Sequence, residues 1–413
     1  MSITIPHPTG ILKGVIDIPL SKSESNRILI LQALSKGKIK VDAAGLSDAR
    51  DTKLLQAALA SDAREINVED AGTAMRFLTA YYCAANQHKI LTGSARMQER
   101  PIGILVDALR DIGFNIKYQK NEGFPPLEII PIDLSKLKNE VSIAGNVSSQ
   151  YISALMMIAP VLDRGLTIFF FTELASKPYL ELTAAMMQTV GITVIFNDNK
   201  IQISTQSFKE TKLIAGADWS AAGYWYSMAS LAEKADIKLK GLNFDSAQGD
   251  KVIAKWCEYF GVLSNQEDDG ISLHSNNSTH FENSKNPILH FDFTDYPDLA
   301  QTMIVLCTAK NVKATFTGLQ SLRIKETDRI AALQNELLKF GVKLYEDGES
   351  IFKLEGTFTM SEQTIKTYND HRMALAFAPL SLLGKITIER PEVVAKSYPN
   401  FWKDMEKVGF EVN

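Results

Sequence analysis

The sequence predicts an α/β protein made of six helix–strand units grouped as two lobes of three. Three observations lead there. One pattern recurs, an amphipathic helix, a glycine and a short alternating strand: LVDALRDIGFNIKY, AAMMQTVGITVIF, IAKWCEYFGVLSN, LQNELLKFGVKLYEDG and FWKDMEKVGFEV. Its glycines, Gly113, Gly191, Gly261, Gly341 and Gly409, return every 68 to 80 residues, too long a period for a solenoid and suited to repeated α/β subdomains. KLIAGADWSAAGYWYSMASL reads as the joint between lobes, with a strand ending near Ile214 and a new helix capped by Asp218 or Ser220. Helix–glycine–strand is also a common way to leave a helix, so the near-regular spacing is what argues for repetition. LLQAALASDAREINV reads as a first, degenerate copy that lacks the glycine. Two lobes imply a cleft, a preferred place for ligands.

Composition bounds the function. The chain has 413 residues, with 45% hydrophobic and 22% charged, an ordinary globular make-up. Lys plus Arg is 44 against 48 for Asp plus Glu, a net charge of −4, so no global field draws nucleic acid or an anionic membrane. Anionic ligands must be held by local clusters of cations. Cys83, Cys257 and Cys307 are sparse and form no CxxC pair, which fits a reducing compartment. The start shows no secretory signal, and the apolar runs at 151–162 and 373–383 are too short to cross a bilayer. A soluble, cytoplasmic protein is expected.

The junctions carry the chemistry. PLSKSESNR places Ser21, Lys22, Ser23 and Arg27 at the start of an apolar helix, a good oxyanion site or simply a well-capped helix. In DAGTAMR, Gly72 and Thr73 open a helix that backbone or ligand can approach closely, with Arg76 one turn in. RMQERPIG sets Arg100 before Pro101, which marks a helix start whose dipole would help Arg100 grip an anion. Ser148, Ser149 and Gln150, then Ser176 and Tyr179, supply hydroxyl and amide donors suited to a polyol or phosphate ester.

The second half adds carboxylates. Asp298 stands directly before a helix, where an N-cap is the plain alternative. Lys325, Glu326, Asp328 and Arg329 crowd five residues entering another, and on a helix Lys325 and Arg329 would share a face. His371 and Arg372 edge an apolar helix, and Lys396 follows an apolar strand. Each feature alone reads equally well as a cap or a solvated charge. Together they imply helix N-termini converging on several anionic groups, with Asp298 and Glu326 as proton-transfer carboxylates held ionised by nearby cations. There is no P-loop, GxGxxG, HExxH or GxSxG, and no histidine pair at metal-ligand spacing. Chemistry without metal or cofactor is expected.

Taken in order, the junctions resemble the 5-enolpyruvylshikimate-3-phosphate (EPSP) synthase family, the 3-phosphoshikimate 1-carboxyvinyltransferases. The strings are SKSxSNR at 21–27, DAGTAMR at 70–76, RMQERPIG at 96–103, SSQ at 148–150, SKPY at 176–179, QGD at 248–250, PD at 297–298, RIKETDR at 323–329, NDHRMA at 369–374 and AKSYP at 395–399. The resemblance implies two lobes of three βαβαββ units, an inside-out α/β barrel with the active site in the cleft. The lobes would be 21–216, and 1–20 plus 217–413.

It further implies a monomer that transfers the enolpyruvyl group of phosphoenolpyruvate to the 5-hydroxyl of shikimate 3-phosphate, on the route to chorismate and aromatic amino acids. Lys22, Ser23, Arg27, Ser148, Ser149, Gln150, Ser176, Tyr179, Asp298, Ser321 and Lys325 would bind shikimate 3-phosphate. Lys22, Gly72, Thr73, Arg100, Gln150, Arg329, His371, Arg372 and Lys396 would bind phosphoenolpyruvate. Asp298 resembles the general base, Glu326 the acid that protonates the methylene carbon, and Lys22 acts with them. Departures from the family pattern are Asp70 for Asn, which needs a cationic partner, Phe77 for Pro, Ser321 for Asn, and AGAD at 215–218 without its usual Glu. Asp70 and Phe77 bear on inhibition by glyphosate, the family's phosphoenolpyruvate-competitive inhibitor.

Rival readings are a UDP-N-acetylglucosamine enolpyruvyl transferase, a non-catalytic anion-binding relative and an RNA-end cyclase. The first calls for a reactive cysteine a few residues before Arg100, where GSARMQE has none. The second would be favoured by loss of Lys22, Asp298 or Glu326, all present. The third needs a nucleotide-linking histidine and a basic surface, and neither is evident.

Overall fold

A computed structural model describes residues 2–276, 288–348 and 350–413. β1 (Ser2–Ile5) and β2 (Ile11–Asp17) open the chain, followed by α1 (Lys22–Leu34), β3 (Ile39–Val41) and α2 (Arg50–Leu59). Next come β4 (Glu65–Asn67), α3 (Gly72–Ala84), β5 (Lys89–Thr92), α4 (Gly103–Ile112), β6 (Asn115–Tyr118) and β7 (Leu127–Ile130). β8 (Glu140–Ile143), α5 (Ser149–Ile158), β9 (Leu166–Phe170), α6 (Lys177–Thr189), β10 (Ile195–Asn197) and β11 (Lys200–Ile203) repeat that order, and β12 (Thr211–Leu213) closes the stretch.

The chain continues with α7 (Trp219–Leu231), β13 (Lys234–Lys240), α8 (Val252–Glu258), β14 (Val262–Glu267) and β15 (Gly270–Asn276). β16 (Leu289–Asp292), α9 (Ala300–Ala309), β17 (Ala314–Thr317), α10 (Arg329–Leu338), β18 (Val342–Glu346) and β19 (Phe352–Gly356) follow. β20 (Gln363–Ile365), α11 (His371–Phe377), β21 (Ile386–Glu389) and α12 (Phe401–Lys407) complete it.

Contacts divide the chain into two compact units, Leu20–Ala215 and Met1–Pro19 with Gly216–Asn413, each with its own hydrophobic core. The sheets β4-β5-β7-β6, β8-β9-β11-β10, β16-β17-β19-β18 and β2-β13-β15-β14 share one topology: a parallel pair, then an antiparallel strand, then its hairpin partner. A crossover helix joins the parallel strands where they are consecutive, as the parallel pairing requires. The remaining two repeats are abbreviated. One keeps only the parallel pair β3 and β12. The other sets β20 parallel to β21 and borrows β1 from the chain's beginning as its antiparallel strand.

The two helices of each repeat differ in a way visible in composition. α1, α3, α5, α7, α9 and α11 are buried around nearly their whole circumference, whereas α4 and α10 bury one stripe. SQYISALMMI and AQTMIVLCTA have no charged residue and no polar face, so each must lie inside a ring of other elements. In Leu20–Ala215 the buried helices α1, α3 and α5 touch one another; in the other unit α9 touches both α7 and α11.

The five junction glycines all have positive φ, from +80° at Gly261 to +122° at Gly113, as a helix-ending left-handed residue requires. Asp218 is the N-cap of α7, accepting from Ala221 N at 3.0 Å. Two points differ from expectation. LLQAALASDAREINV forms the helix and strand expected of a copy without its glycine, α2 and β4, but β4 pairs parallel with β5 and opens the next sheet, where β6, β10, β14 and β18 enter hairpins. Past Gly409 no strand is assigned; instead Thr4 N donates to Asn413 O at 2.8 Å and Asn413 N to Thr4 O at 3.0 Å, tying the chain's end to β1.

Gly341 has φ +82°, and a Cβ there would stand 3.1 Å from the Thr357 carbonyl oxygen. Gly341→Ala is expected to cost about 1–2 kcal/mol from the left-handed backbone alone. Urea denaturation of wild type and variant side by side checks this.

Candidate functional site

In Leu20–Ala215 the candidate residues gather at helix starts. Ser21 Oγ accepts from Glu24 N at 3.4 Å and caps α1, leaving Lys22 and Ser23 as its first residues. Lys22 Nζ pairs at 3.3 Å with Asp51 Oδ2 from the first turn of α2. Arg27, one turn further on, is only 3% exposed, and its hydrogen-bond partners are all neutral. Its Nε donates to Thr183 Oγ1 at 2.7 Å, Nη1 to Ser23 O at 2.9 Å, and Nη2 to Ser153 Oγ and Tyr179 O at 3.3 Å. Burial pulls this guanidinium down to about 10, against the opposing pull of Tyr179 and Glu24. Its guanidinium carbon lies 5.5 Å from the centre of the Phe77 ring, so Phe77 helps wall in the cation.

Ser148 caps α5 through Gln150 N, and Gln150 Nε2 donates to Thr73 Oγ1 at 3.1 Å, tying the start of α5 to the start of α3. Ser176 precedes α6 at φ +56°. Arg100 is buried, and among the described residues its Nε and Nη1 have no hydrogen-bond partner. Its guanidinium lies against Gly72, where an added Cβ would come within 2.8 Å of Nη1 and Nη2. Here the sequence reading needs correction. α4 begins at Gly103 after Ile102, so Arg100 stands not at its own helix start but at the start of α3.

Arg76 is a brace, donating to Gly72 O at 3.2 Å and Pro101 O at 3.0 Å. Arg96 pairs with Glu99 on the surface. Asp70 has the cationic partner it needs, Arg50, at 3.9 Å.

The other unit holds a denser cluster of paired charges. Asp298 does not cap α9, whose N-cap is Leu299; its Oδ2 pairs with Arg372 Nη2 at 2.8 Å and its Oδ1 with Arg329 Nη1 at 3.8 Å. Arg329 Nη2 donates to Glu326 Oε2 at 2.9 Å, and Arg329 Nε to Asp370 Oδ2 at 2.7 Å. Lys396 Nζ lies 3.7 Å from Glu326 Oε1. Burial opposes the Arg329 charge, but Asp370 and Glu326 outweigh it and push its pKa up. Arg372 Nη1 donates to Tyr224 OH at 3.1 Å and to Asp298 O at 2.9 Å. Asp370 caps α11 through Arg372 N, and buried His371 has Nδ1 3.5 Å from Asp370 Oδ1.

Lys325 and Arg329 do not share a helix face. α10 starts at Arg329 with Asp328 as its cap, and Lys325 lies in extended backbone before it. Ser321 sits in the short run Gln320–Ile324 and makes none of these bonds.

Asp51, Tyr224, Asp250 and Asp370 join these clusters without having been singled out from the sequence. Asp250 and Asp370 belong to QGD and NDHRMA; Asp51 and Tyr224 carry no local signal, since only packing brings them near. Asp250 is buried and accepts from Ser220 Oγ; burial, with Asp298 nearby, pushes its carboxyl up to about 7. All three cysteines are buried inside helices, with burial pushing the Cys257 thiol up to about 12 and those of Cys83 and Cys307 higher. None resembles an activated nucleophile.

Solved structures share this architecture. An EPSP synthase from Acinetobacter baumannii matches with a TM-score of 0.75 at 21% identity, covering 100% of this chain and 99% of that one. The enolpyruvyl transferase NikO from Streptomyces tendae matches at 0.74 and 13% identity, covering 100% and 98%. The fold is thus that of the enolpyruvyl transferases. Residues 56–405 match the family model for EPSP synthase (3-phosphoshikimate 1-carboxyvinyltransferase). A 3-phosphoshikimate 1-carboxyvinyltransferase of Bacteroides fragilis is 46% identical over 406 residues, 97% of this chain and 96% of that one. The chain belongs to the EPSP synthase family. Among the described residues no helix is long and apolar enough to cross a membrane.

The raised Asp250 pKa has a stability consequence. The folded state binds this proton more tightly than the unfolded chain, whose carboxyl titrates near 3.8. Its contribution is therefore fully present below about pH 4 and is lost as pH rises through about 7. Asp250→Asn is expected to flatten the fall in stability across that window, measured by denaturation at pH 5 and pH 8.

Proposed function

We propose that this chain transfers the enolpyruvyl group of phosphoenolpyruvate to the 5-hydroxyl of shikimate 3-phosphate and releases phosphate, without a metal or organic cofactor. The observation that carries the reading is Arg329: one buried guanidinium contacts both proton-transfer candidates, Asp298 at 3.8 Å and Glu326 at 2.9 Å. Membership of the EPSP synthase family supplies the substrates that such an arrangement suits.

The chemistry follows from what an enol phosphate does. Protonation of its methylene carbon makes C2 electrophilic, and the incoming hydroxyl adds there to give a tetrahedral intermediate. Reversing the proton traffic expels phosphate and restores the double bond. Glu326, in its protonated form, would deliver the proton to carbon and take one back from the resulting methyl group as phosphate leaves, and Asp298 would take the proton of the attacking hydroxyl. Both substrates are anions, and cations must offset their repulsion. By the family resemblance, Lys22, Gly72, Thr73, Arg100 and Gln150 of one unit and Arg329, His371, Arg372 and Lys396 of the other are assigned to phosphoenolpyruvate. Arg27, Lys325, Ser23, Ser148, Ser149, Ser176, Tyr179 and Ser321 are assigned to shikimate 3-phosphate, with Lys22 and Gln150 reaching both. Buried Arg100, with two nitrogens lacking partners, is suited to receive an anion.

The primary experiment is phosphate release from phosphoenolpyruvate with and without shikimate 3-phosphate. Release is expected only with both, and Asp298→Asn is expected to lower kcat by about 10²–10⁴-fold. Release without the second substrate, or a fully active variant, would overturn the assignment. Gly72→Ala has a narrower outcome. Its Cβ would meet only the far end of the Arg100 side chain, so the fold should survive while Arg100 moves. Glyphosate inhibition is expected to weaken more than phosphoenolpyruvate binding does; equal inhibition constants in both proteins would remove Gly72 from this site.

A further inference from the structure

Tyr368 and Asn369 stand at φ +53° and +59°, two consecutive non-glycine residues in the left-handed region. They immediately precede Asp370, His371 and Arg372. Such backbone persists only where the surroundings hold it, and here the restraint comes from α10. Glu336, fully buried on that helix, accepts from Lys366 N at 3.1 Å through Oε2 and from Tyr368 OH at 2.8 Å through Oε1. Lys339, one turn on, donates to Glu336 Oε2 at 2.5 Å and to Thr364 O at 2.7 Å. Burial and the Glu336 charge push the Tyr368 phenol up to about 12, so it keeps the proton it donates.

The same helix grips the far side of this segment. Arg329, the first residue of α10, bonds Asp370 Oδ2, and Asp370 in turn receives Arg372 N at 2.9 Å. One helix therefore clamps the chain at Thr364–Tyr368 and again at Asp370. Arg372 leaves that clamp to meet Asp298 and Tyr224.

We propose that Glu336 is a positioning residue for catalysis: it latches Lys366 and Tyr368 and so sets the direction in which Arg372 is presented to phosphoenolpyruvate. The inference rests on the reading of Arg372 given under Proposed function. Glu336 touches no reacting atom and acts through the segment it holds. Its two oxygens serve three donors, a duty that glutamine, with a single acceptor oxygen, cannot fill.

The test is steady-state kinetics of wild type, Glu336→Gln and Tyr368→Phe, with each substrate varied in turn and thermal unfolding measured in parallel. Glu336→Gln is expected to raise KM for phosphoenolpyruvate about tenfold while KM for shikimate 3-phosphate changes less than about twofold. Tyr368→Phe, which keeps the ring and removes one hydrogen bond, should shift KM the same way by about threefold; it decides the matter if the first variant does not fold. Variants that only melt earlier, with wild-type kinetic constants, would overturn the latch, as would equal rises in both KM values. Wild type that releases no phosphate would overturn the underlying reading and the latch with it.

Discussion

A helix buried on every side can meet a ligand only at its ends, and this constraint organises both units. α1, α3 and α5 fill one core, and α7, α9 and α11 fill the other, leaving little solvent-facing surface along their lengths. What such a helix offers a ligand lies at its start, because the first turn carries unsatisfied N–H groups. Lys22, Gly72, Gln150 and Arg372 all lie in such first turns, and Asp298 lies just ahead of one. Turning each helix start into a place for polar side chains leaves the cores free to be almost wholly apolar.

The two units solve the problem of buried cations differently. In Leu20–Ala215, Arg27 is held by hydroxyls and carbonyls, and Arg100 lies over Gly72 with two nitrogens lacking hydrogen bonds. Burying a charge against neutral groups is costly, and an arriving anion relieves the cost. In the other unit, Arg329, Arg372 and Lys396 face Asp298, Glu326 and Asp370. That arrangement pairs its cations with carboxylates and keeps Asp298 and Glu326 at defined positions among cations. One cluster is suited to receiving negative charge, and the other to holding proton donors and acceptors in register.

Much of the fold was legible because repeats write themselves into periodicity. Gly113, Gly191, Gly261, Gly341 and Gly409 mark helix ends in the sequence, and all five adopt positive φ. LLQAALASDAREINV forms the expected helix and strand, yet nothing local distinguishes a hairpin strand from one that opens the next sheet. Pairing alone makes the difference: β4 runs parallel to β5. Lys325 was misplaced for a related reason, since charge alternation in KETDR suits a helix, while capping by Asp328 starts the helix later.

Residue type and local order determined which groups sit at helix starts, since caps, glycines and apolar runs act over a few residues. The candidate site residues could therefore be named from the sequence. Tertiary structure alone decided their partners. Arg100 serves α3 rather than α4, Asp298 joins an ion-pair cluster rather than capping α9, and Glu336 reaches the segment before Arg372. Each is a contact between groups distant in sequence, and such contacts depend on how buried helices pack, which no local pattern records.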